Sequence, residues 1–62
     1  MSTPREILTA ALRKEEAARQ YYDEQARHQR IAMLRELFEM LREEEAKHVH
    51  LIRKKLGELD GV

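Results

Sequence analysis

Three polar side chains have the types and spacing of metal ligands. Glu45 and His48 lie three residues apart in the segment Glu45-Ala46-Lys47-His48. On a helix, residues at i and i+3 project to the same side, one turn apart, so this carboxylate and this imidazole can reach one metal ion. Glu15, in the first half of the chain, offers a second carboxylate. Oxygen ligands combined with imidazole suit iron or manganese, so the chemistry predicted is metal binding with open positions for an oxidant.

Each of these residues lies in a row of largely apolar residues that are spaced three and four positions apart. Such a row forms a stripe along one face of a helix. The first consists of Leu8, Ala11, Glu15, Ala18, Tyr22 and Gln25, widened by Leu12 and Ala26. The second consists of Ile31, Leu34, Phe38, Leu41, Glu45, His48 and Ile52, broadened by Leu37 and Leu51. An ionised carboxylate at a core position is costly unless it is paired or bound to a metal. The placement of Glu15 and Glu45 therefore favours a metal site.

The two stripes predict two helices that position these side chains. Thr3 and Glu6 match a capping box, and Pro4 suits the first helical position. The first helix is therefore predicted to run from about Pro4 to about Arg27. The second is predicted to run from about Ile31 to about Leu56, with Gly57 as its C-cap.

A turn is predicted between the helices, although residues 27–30 contain neither glycine nor proline. Continuing the first stripe would put Gln29 and Ala32 on the core face, whereas the second stripe uses Ile31 and Leu34. This offset of two residues is a rotation of about 200°, which a straight helix cannot absorb. The predicted fold class is all-α, a two-helix antiparallel hairpin that forms a single domain over residues 1–62.

The hairpin is too small to be stable alone. With 62 residues and no cysteine, it buries little apolar surface and has no disulfide. Two copies related by a two-fold axis would supply four glutamates and two histidines. Di-iron four-helix bundles use that set, with one glutamate from each of two helices and Glu-x-x-His from each of the other two. Two ferrous ions would neutralise the four carboxylates. We therefore expect a homodimeric four-helix bundle with two irons per dimer.

The charge pattern argues against several partners. Lys and Arg number 12, as do Asp and Glu, and the two signs are interleaved, so nothing attracts nucleic acid or acidic membranes in general. No apolar run approaches the roughly 20 residues that span a bilayer, and the first residues lack the apolar core of a secretory signal. We expect a soluble, cytoplasmic protein with neither nucleic acid nor membrane as partner.

The sequence resembles the ferritin-like superfamily, in particular the single-hairpin encapsulated ferritins and the half-repeats of rubrerythrins. The resemblance covers roughly residues 7–56. Its motifs are Glu15-x-x-Ala18-x-x-x-Tyr22, Leu34-Arg35-Glu36-Leu37-Phe38 and Glu43-Glu44-Glu45-Ala46-Lys47-His48-Val49.

The resemblance implies a ferroxidase that oxidises Fe(II) with O2 at a di-iron site between two subunits, for iron storage or detoxification. Glu15, Glu45 and His48 are then the metal ligands, with Glu45 bridging the irons. Tyr22 is implied to hydrogen-bond a ligand carboxylate or to supply an electron. The implied partners are a second copy or a larger homo-oligomer, and an encapsulin-type shell protein that would place the enzyme in a nanocompartment. Peroxidase rubrerythrins usually carry a cysteine-ligated iron, so the lack of cysteine disfavours that activity.

Other interpretations stay open. A self-associating interaction module without catalysis also fits, because buried polar residues can set the register of packed helices. Manganese could replace iron, in an oxidase or peroxidase acting on another substrate. Tyr22 fits plain core packing equally well. Met33, Leu37 and Met40 form a second apolar row, which fits either a wide bundle core or a further subunit contact.

Overall fold

In a computed structural model, residues 2–61 form an antiparallel hairpin of two α-helices; Met1 and Val62 lie outside the described residues. Helix α1 spans Pro4–His28 and helix α2 spans Ala32–Asp60. The extents along the principal axes are 47 × 20 × 11 Å. The shortest is about the diameter of one helix, so the hairpin is a single layer. The predicted all-α hairpin is confirmed, and its pairing into a four-helix bundle stays a prediction.

The start of α1 is fixed by local hydrogen bonds. The Glu6 backbone N–H donates to Thr3 Oγ1 at 3.1 Å, and the Thr3 backbone N–H donates to Glu6 Oε1 at 3.3 Å. Pro4 occupies the first turn. The capping box satisfies donors that have no partner within the helix, and its prediction from the sequence is confirmed.

The turn between the helices comprises residues 29–31. Gln29 and Ile31 have extended backbone conformations, with ψ of 128° and 118°, and the Gln29 N–H donates to the Gln25 carbonyl at 3.1 Å. Ile31 is the N-cap of α2 rather than a helical residue, so its side chain does not follow the helical phase. Its predicted place in the core stripe is wrong, because the side chain is exposed.

Helix α2 continues past Gly57, which the sequence predicts as its C-cap. It ends at Asp60, and Gly61 is the C-cap. The last turn of α2 lies beside the first turns of α1, where Arg5 and Asp60 form an ion pair. Leu59 also lines a surface pocket with Leu8. A glycine inside a helix costs only roughly 0.5–1 kcal/mol relative to alanine, so a helix can continue through Gly57.

The hairpin has a very small core. Among residues 2–61, only Ala26 and Val49 are buried hydrophobic residues, at 4% and 2% exposure. The stripe predicted on α1 is half-buried throughout, as are four apolar members of the α2 stripe: Leu34, Phe38, Leu41 and Ile52. The flanking Leu37 and Leu51 are exposed instead, because they project past the edge of the contact with α1. Val49, which the stripe omits, follows Glu45 by four residues and faces α1.

Candidate metal centre

The hairpin brings together the three side chains predicted as ligands. Glu15 comes from the middle of α1, and Glu45 and His48 come from the middle of α2, one turn apart. One ligand atom from each lies within 4.8 Å of the others. His48 Nδ1 is 3.5 Å from Glu15 Oε2 and 3.4 Å from Glu45 Oε2. Both helices are therefore needed to assemble the cluster.

Small residues flank Glu15 on its helical stripe. Ala11 lies one turn before it and Ala18 one turn after it on the same stripe. Bulkier residues there would fill the space between the helices. Alanine at both positions also suits a helix interior by propensity.

Glu45 has the most buried side chain of the three candidate ligands. Its side chain is 18% exposed, and its Oε2 is buried without a hydrogen-bond partner among residues 2–61. The nearby imidazole nitrogen of His48 is close but does not make a hydrogen bond to it. Buried polar atoms nearly always have a partner, so this oxygen fits a metal ligand. Two carboxylates and one imidazole are a donor set that suits iron.

The cluster opens to solvent at one edge. The side chain of His48 is 50% exposed, whereas that of Glu15 is 32% exposed. The ligands therefore lie at a margin of the contact between the helices, where another chain can reach them.

Tyr22 packs against aromatic neighbours. Its ring stacks on Phe38 with a centroid separation of 6.2 Å, and Tyr21 meets it edge-on at 5.6 Å. Within the described part of the chain, no hydrogen bond involves the Tyr22 hydroxyl. The packing role is thus observed, while the implied role of Tyr22 toward a ligand carboxylate or the reaction stays a prediction.

One side of the hairpin, which we call the charged side, carries ion pairs between the helices. Arg42 donates to Asp23 at 2.9 Å, and Arg53 lies 3.5 Å from Glu16. Arg27 adds a contact of 3.1 Å to Asp23 from within α1. The hydrogen bond to Asp23 is the main cause that raises the pKa of Arg42 above its usual value, and desolvation opposes it. The stripe pattern does not reveal these pairs, because charged residues are frequent along both helices.

The opposite side, which we call the apolar side, exposes large hydrophobic side chains. Met33 and Leu51 are each nine residues from Arg42. Nine residues make two and a half turns at 100° per residue, so both lie on the face of α2 opposite Arg42. On α1, Ile7 is likewise nine residues from Glu16. The apolar side comprises Ile7, Tyr21, Met33, Leu37, Met40 and Leu51. Despite this surface, neither helix in residues 2–61 has the length and hydropathy needed to cross a membrane.

His48 belongs to the apolar side. Leu37 precedes it by eleven residues, about three turns, and Leu51 follows it by three. The exposed edge of the candidate metal centre therefore faces the same way as the exposed hydrophobic residues.

The Rubrerythrin family model matches residues 6–62. The chain belongs to the rubrerythrin family. The match includes all three candidate ligands and confirms the resemblance seen in the sequence motifs. Comparison with curated proteins and with solved structures found no match. Membership of the rubrerythrin family implies iron binding and relates the protein to oxidoreductases, and the Glu15–Glu45–His48 cluster is where the hairpin offers ligands for iron.

Proposed function

We propose that this protein is a ferroxidase that oxidises Fe(II) with O2 at a di-iron site shared by two copies of the chain, for iron storage or detoxification. The observation that carries the proposal is the convergence of Glu15, Glu45 and His48 around a buried carboxylate oxygen that has no hydrogen-bond partner in residues 2–61. Iron is the substrate of the reaction and O2 is its oxidant.

One hairpin supplies half of a di-iron ligand set. Each chain offers two carboxylates and one imidazole, whereas di-iron bundles use four carboxylates and two imidazoles. Two copies complete the set, and two Fe(II) ions balance the charge of four carboxylates. Glu45, with its unsatisfied buried oxygen, is the residue we assign to bridge the two ions.

The surface of the hairpin supports pairing with a second copy. Stable domains usually have at least two packed layers, and this one is a single helix thick. Its accessible surface is 5071 Å², against roughly 4,200 Å² for a compact monomer of 7.4 kDa. The excess of roughly 900 Å² is close to the area of about 800 Å² that each partner buries in a standard interface.

The apolar side is the surface on which we place the second copy. Pairing through it covers Leu37 and Leu51, which the sequence assigns to the core and the lone hairpin leaves exposed. It also brings the two His48 edges together. On this proposal the row of Met33, Leu37 and Met40 belongs to the dimer interface. The covered surface would shield the metal centre from bulk water, which strengthens the attraction between the carboxylates and the iron.

The first experiment measures iron bound per chain. Metal-free protein is loaded with Fe(II) without oxygen, excess metal is removed, and iron is counted before O2 is admitted. We expect about one iron per chain on a dimer or a larger assembly, followed by rapid oxidation. Glu45→Gln keeps the size of the side chain and removes its charge, so we expect at least a tenfold loss of Fe(II) affinity. Glu44→Gln, an exposed neighbour that contacts Lys47, is the matched control.

Two outcomes would overturn the proposal. If the native chain retains no iron while its helical assembly is intact, a self-associating module without catalysis becomes the better account. If Mn(II) is retained and Fe(II) is not oxidised, the protein is instead an oxidase or peroxidase with another substrate. The cytoplasmic location and an encapsulin-type shell partner stay predictions.

A further inference from the structure

Among residues 2–61, three arginine–carboxylate pairs join the helices: Arg5–Asp60 at the open end of the hairpin, Glu16–Arg53 and Asp23–Arg42. Along α2, the last two lie on either side of the candidate metal centre. Arg42 precedes Glu45 by three residues, and Arg53 follows His48 by five. We propose that Asp23 and Arg42 are positioning residues whose ion pair fixes the stagger of α1 against α2, so that Glu15 meets Glu45 and His48. The proposal rests on the proposed function insofar as it treats that cluster as a metal centre.

The cluster tolerates little sliding of one helix along the other. Its three ligand atoms lie within 4.8 Å of one another, whereas a slide of one helical turn moves α2 by about 5.4 Å. A slide of that size would separate Glu15 from both ligands on α2. The stagger must therefore be fixed to within a fraction of a turn.

Apart from the stacking of Tyr22 on Phe38, the apolar contacts between the helices specify the stagger weakly. Ala26 and Val49 are the buried hydrophobic residues of the described chain, and both are small. The apolar stripes repeat every three or four residues, so a slide of one turn replaces one apolar neighbour with another. Polar contacts are known to fix register where apolar repeats leave it open.

The Asp23–Arg42 pair has the geometry for this task. The atoms Arg42 Nη1 and Asp23 Oδ1 are 2.9 Å apart, and each side chain is 30% exposed. The Glu16–Arg53 pair is longer, at 3.5 Å, and more exposed. Because shielded pairs are screened less by water and salt, Asp23 and Arg42 hold the stagger more firmly.

The charges that flank Arg42 oppose a slide in either direction. Glu39 lies three residues before Arg42, and Glu45 lies three residues after it. A shift of about one turn along α2 would bring one of these glutamates toward Asp23 and replace an attraction with a repulsion. The pair therefore favours the native stagger and disfavours its nearest alternatives.

The test measures the stagger and the iron affinity separately. Because the chain contains no cysteine, Ala10→Cys and Arg35→Cys place one spin label on each helix, and dilution with unlabelled protein isolates distances within one chain. The variant Asp23→Asn removes the attraction to Arg42, and Asp23→Glu keeps the negative charge. In Asp23→Lys, the new ammonium group is attracted to Glu39 and Glu45 instead. Glu58→Gln, which removes an ion pair with Lys55 within α2, is the matched control.

We expect one narrow distance in the native chain, in Asp23→Glu and in the control. In Asp23→Lys we expect a second population displaced by about 5 Å, one helical turn. In Asp23→Asn we expect a broader distribution and at least a tenfold loss of Fe(II) affinity, with helix content unchanged. If Asp23→Lys does not fold, Arg42→Gln takes its place in the test, because this variant removes the attraction to Asp23 without adding charge to α1.

The two proposals fail in different ways. Native distances and native Fe(II) affinity in both Asp23→Asn and Arg42→Gln would overturn the positioning role and leave the ferroxidase proposal standing. If the distances are displaced in the variants while the native chain binds no iron, the pair does set the stagger and the metal-centre proposal is overturned.

Discussion

At the scale of single residues, Glu45 differs most from an ordinary glutamate on a helix surface. Most of its side chain is covered, and one carboxylate oxygen lacks a hydrogen-bond partner among residues 2–61. A covered carboxylate is tolerated only when a proton, a cation or a donor satisfies it. Arg42, one turn away, is already engaged by Asp23 and Glu43. No side chain among residues 2–61 donates a hydrogen bond to this oxygen, and a bound cation would satisfy it.

The hydroxyl of Tyr22 can be tested without disturbing its ring. Tyr22→Phe keeps the stacking on Phe38 and removes a hydroxyl that has no hydrogen bond in residues 2–61. We therefore expect the free energy of unfolding to change by less than about 0.5 kcal/mol, measured by thermal and urea denaturation. A loss larger than that would mean that the hydroxyl has a structural partner in the assembled protein.

The same variant addresses the role of Tyr22 in the reaction. If the hydroxyl serves oxidation, the rate of Fe(II) oxidation measured by stopped flow falls while Fe(II) affinity stays unchanged. Tyr21→Phe is the matched control, because Tyr21 is an exposed neighbour of the same type. A Tyr22→Phe oxidation rate equal to that of the native chain would assign Tyr22 to packing alone.

At the scale of the helices, features encoded by neighbouring residues could be predicted, and features created across the hairpin could not. The start of α1 depends on Thr3, Pro4 and Glu6, which lie within four positions of one another. The last turn of α2 lies beside Arg5 and Leu8, which are about fifty residues away in the chain. The sequence pattern therefore places the N-cap correctly and ends α2 too early, at Gly57.

The candidate site divides in the same way. Glu15, Glu45 and His48 could be predicted because their types conflict with their positions on apolar stripes. Asp23 and Arg42 could not, because charged residues make up 39% of the chain and an acid or a base at the edge of a helix is unremarkable. Only the pairing of the two helices shows which charges meet.

Gly57 is a position where the chain can be stabilised. It lies inside α2, and a Cβ atom added there would meet nothing within 4 Å. Gly57→Ala should raise the free energy of unfolding by about 0.5–1 kcal/mol, because glycine is the poorer helix former and loses more entropy on folding. The change is measured by thermal denaturation at matched protein concentration, since association also affects the midpoint.

Gly61→Ala is the control for that substitution. Gly61 is the C-cap of α2, where helix propensity counts for less, so its replacement should have a smaller effect. A destabilising Gly57→Ala would mean that another chain approaches the backbone at this position.

At the scale of the whole molecule, the hairpin has two unlike sides. The charged side carries ion pairs between the helices, and the apolar side exposes methionine, leucine, isoleucine and tyrosine together with the edge of the candidate metal centre. We expect an exposed apolar surface of this kind to be an interaction site. Because assembly and iron binding would share one side, we expect each to strengthen the other.

A charge on the apolar side tests this coupling. Leu37→Lys should weaken self-association at least a hundredfold, because a buried ammonium without a partner is strongly unfavourable at an interface. The iron bound per chain at low protein concentration should fall as well, since the separated hairpins hold half a ligand set. Analytical ultracentrifugation and anaerobic iron counting measure the two effects.

Gln20→Lys adds the same charge to an exposed position beside the ion pairs of the charged side and is the matched control. It should leave both association and iron content unchanged. Should Leu37→Lys remain fully associated while Gln20→Lys dissociates, the subunit contact lies on the charged side.

The ion pair of Arg5 and Asp60 places both ends of the hairpin at one pole, with the turn at residues 29–31 at the other. This fixes how two hairpins can be fused into one polypeptide. If the symmetry axis runs along the helices, the end of one hairpin lies near the start of the next, and a short linker suffices. If the axis runs across them, the linker must travel the 47 Å length of the molecule, which takes at least about 13 extended residues. The shortest linker that preserves a folded single-chain protein therefore reports the direction of the two-fold axis.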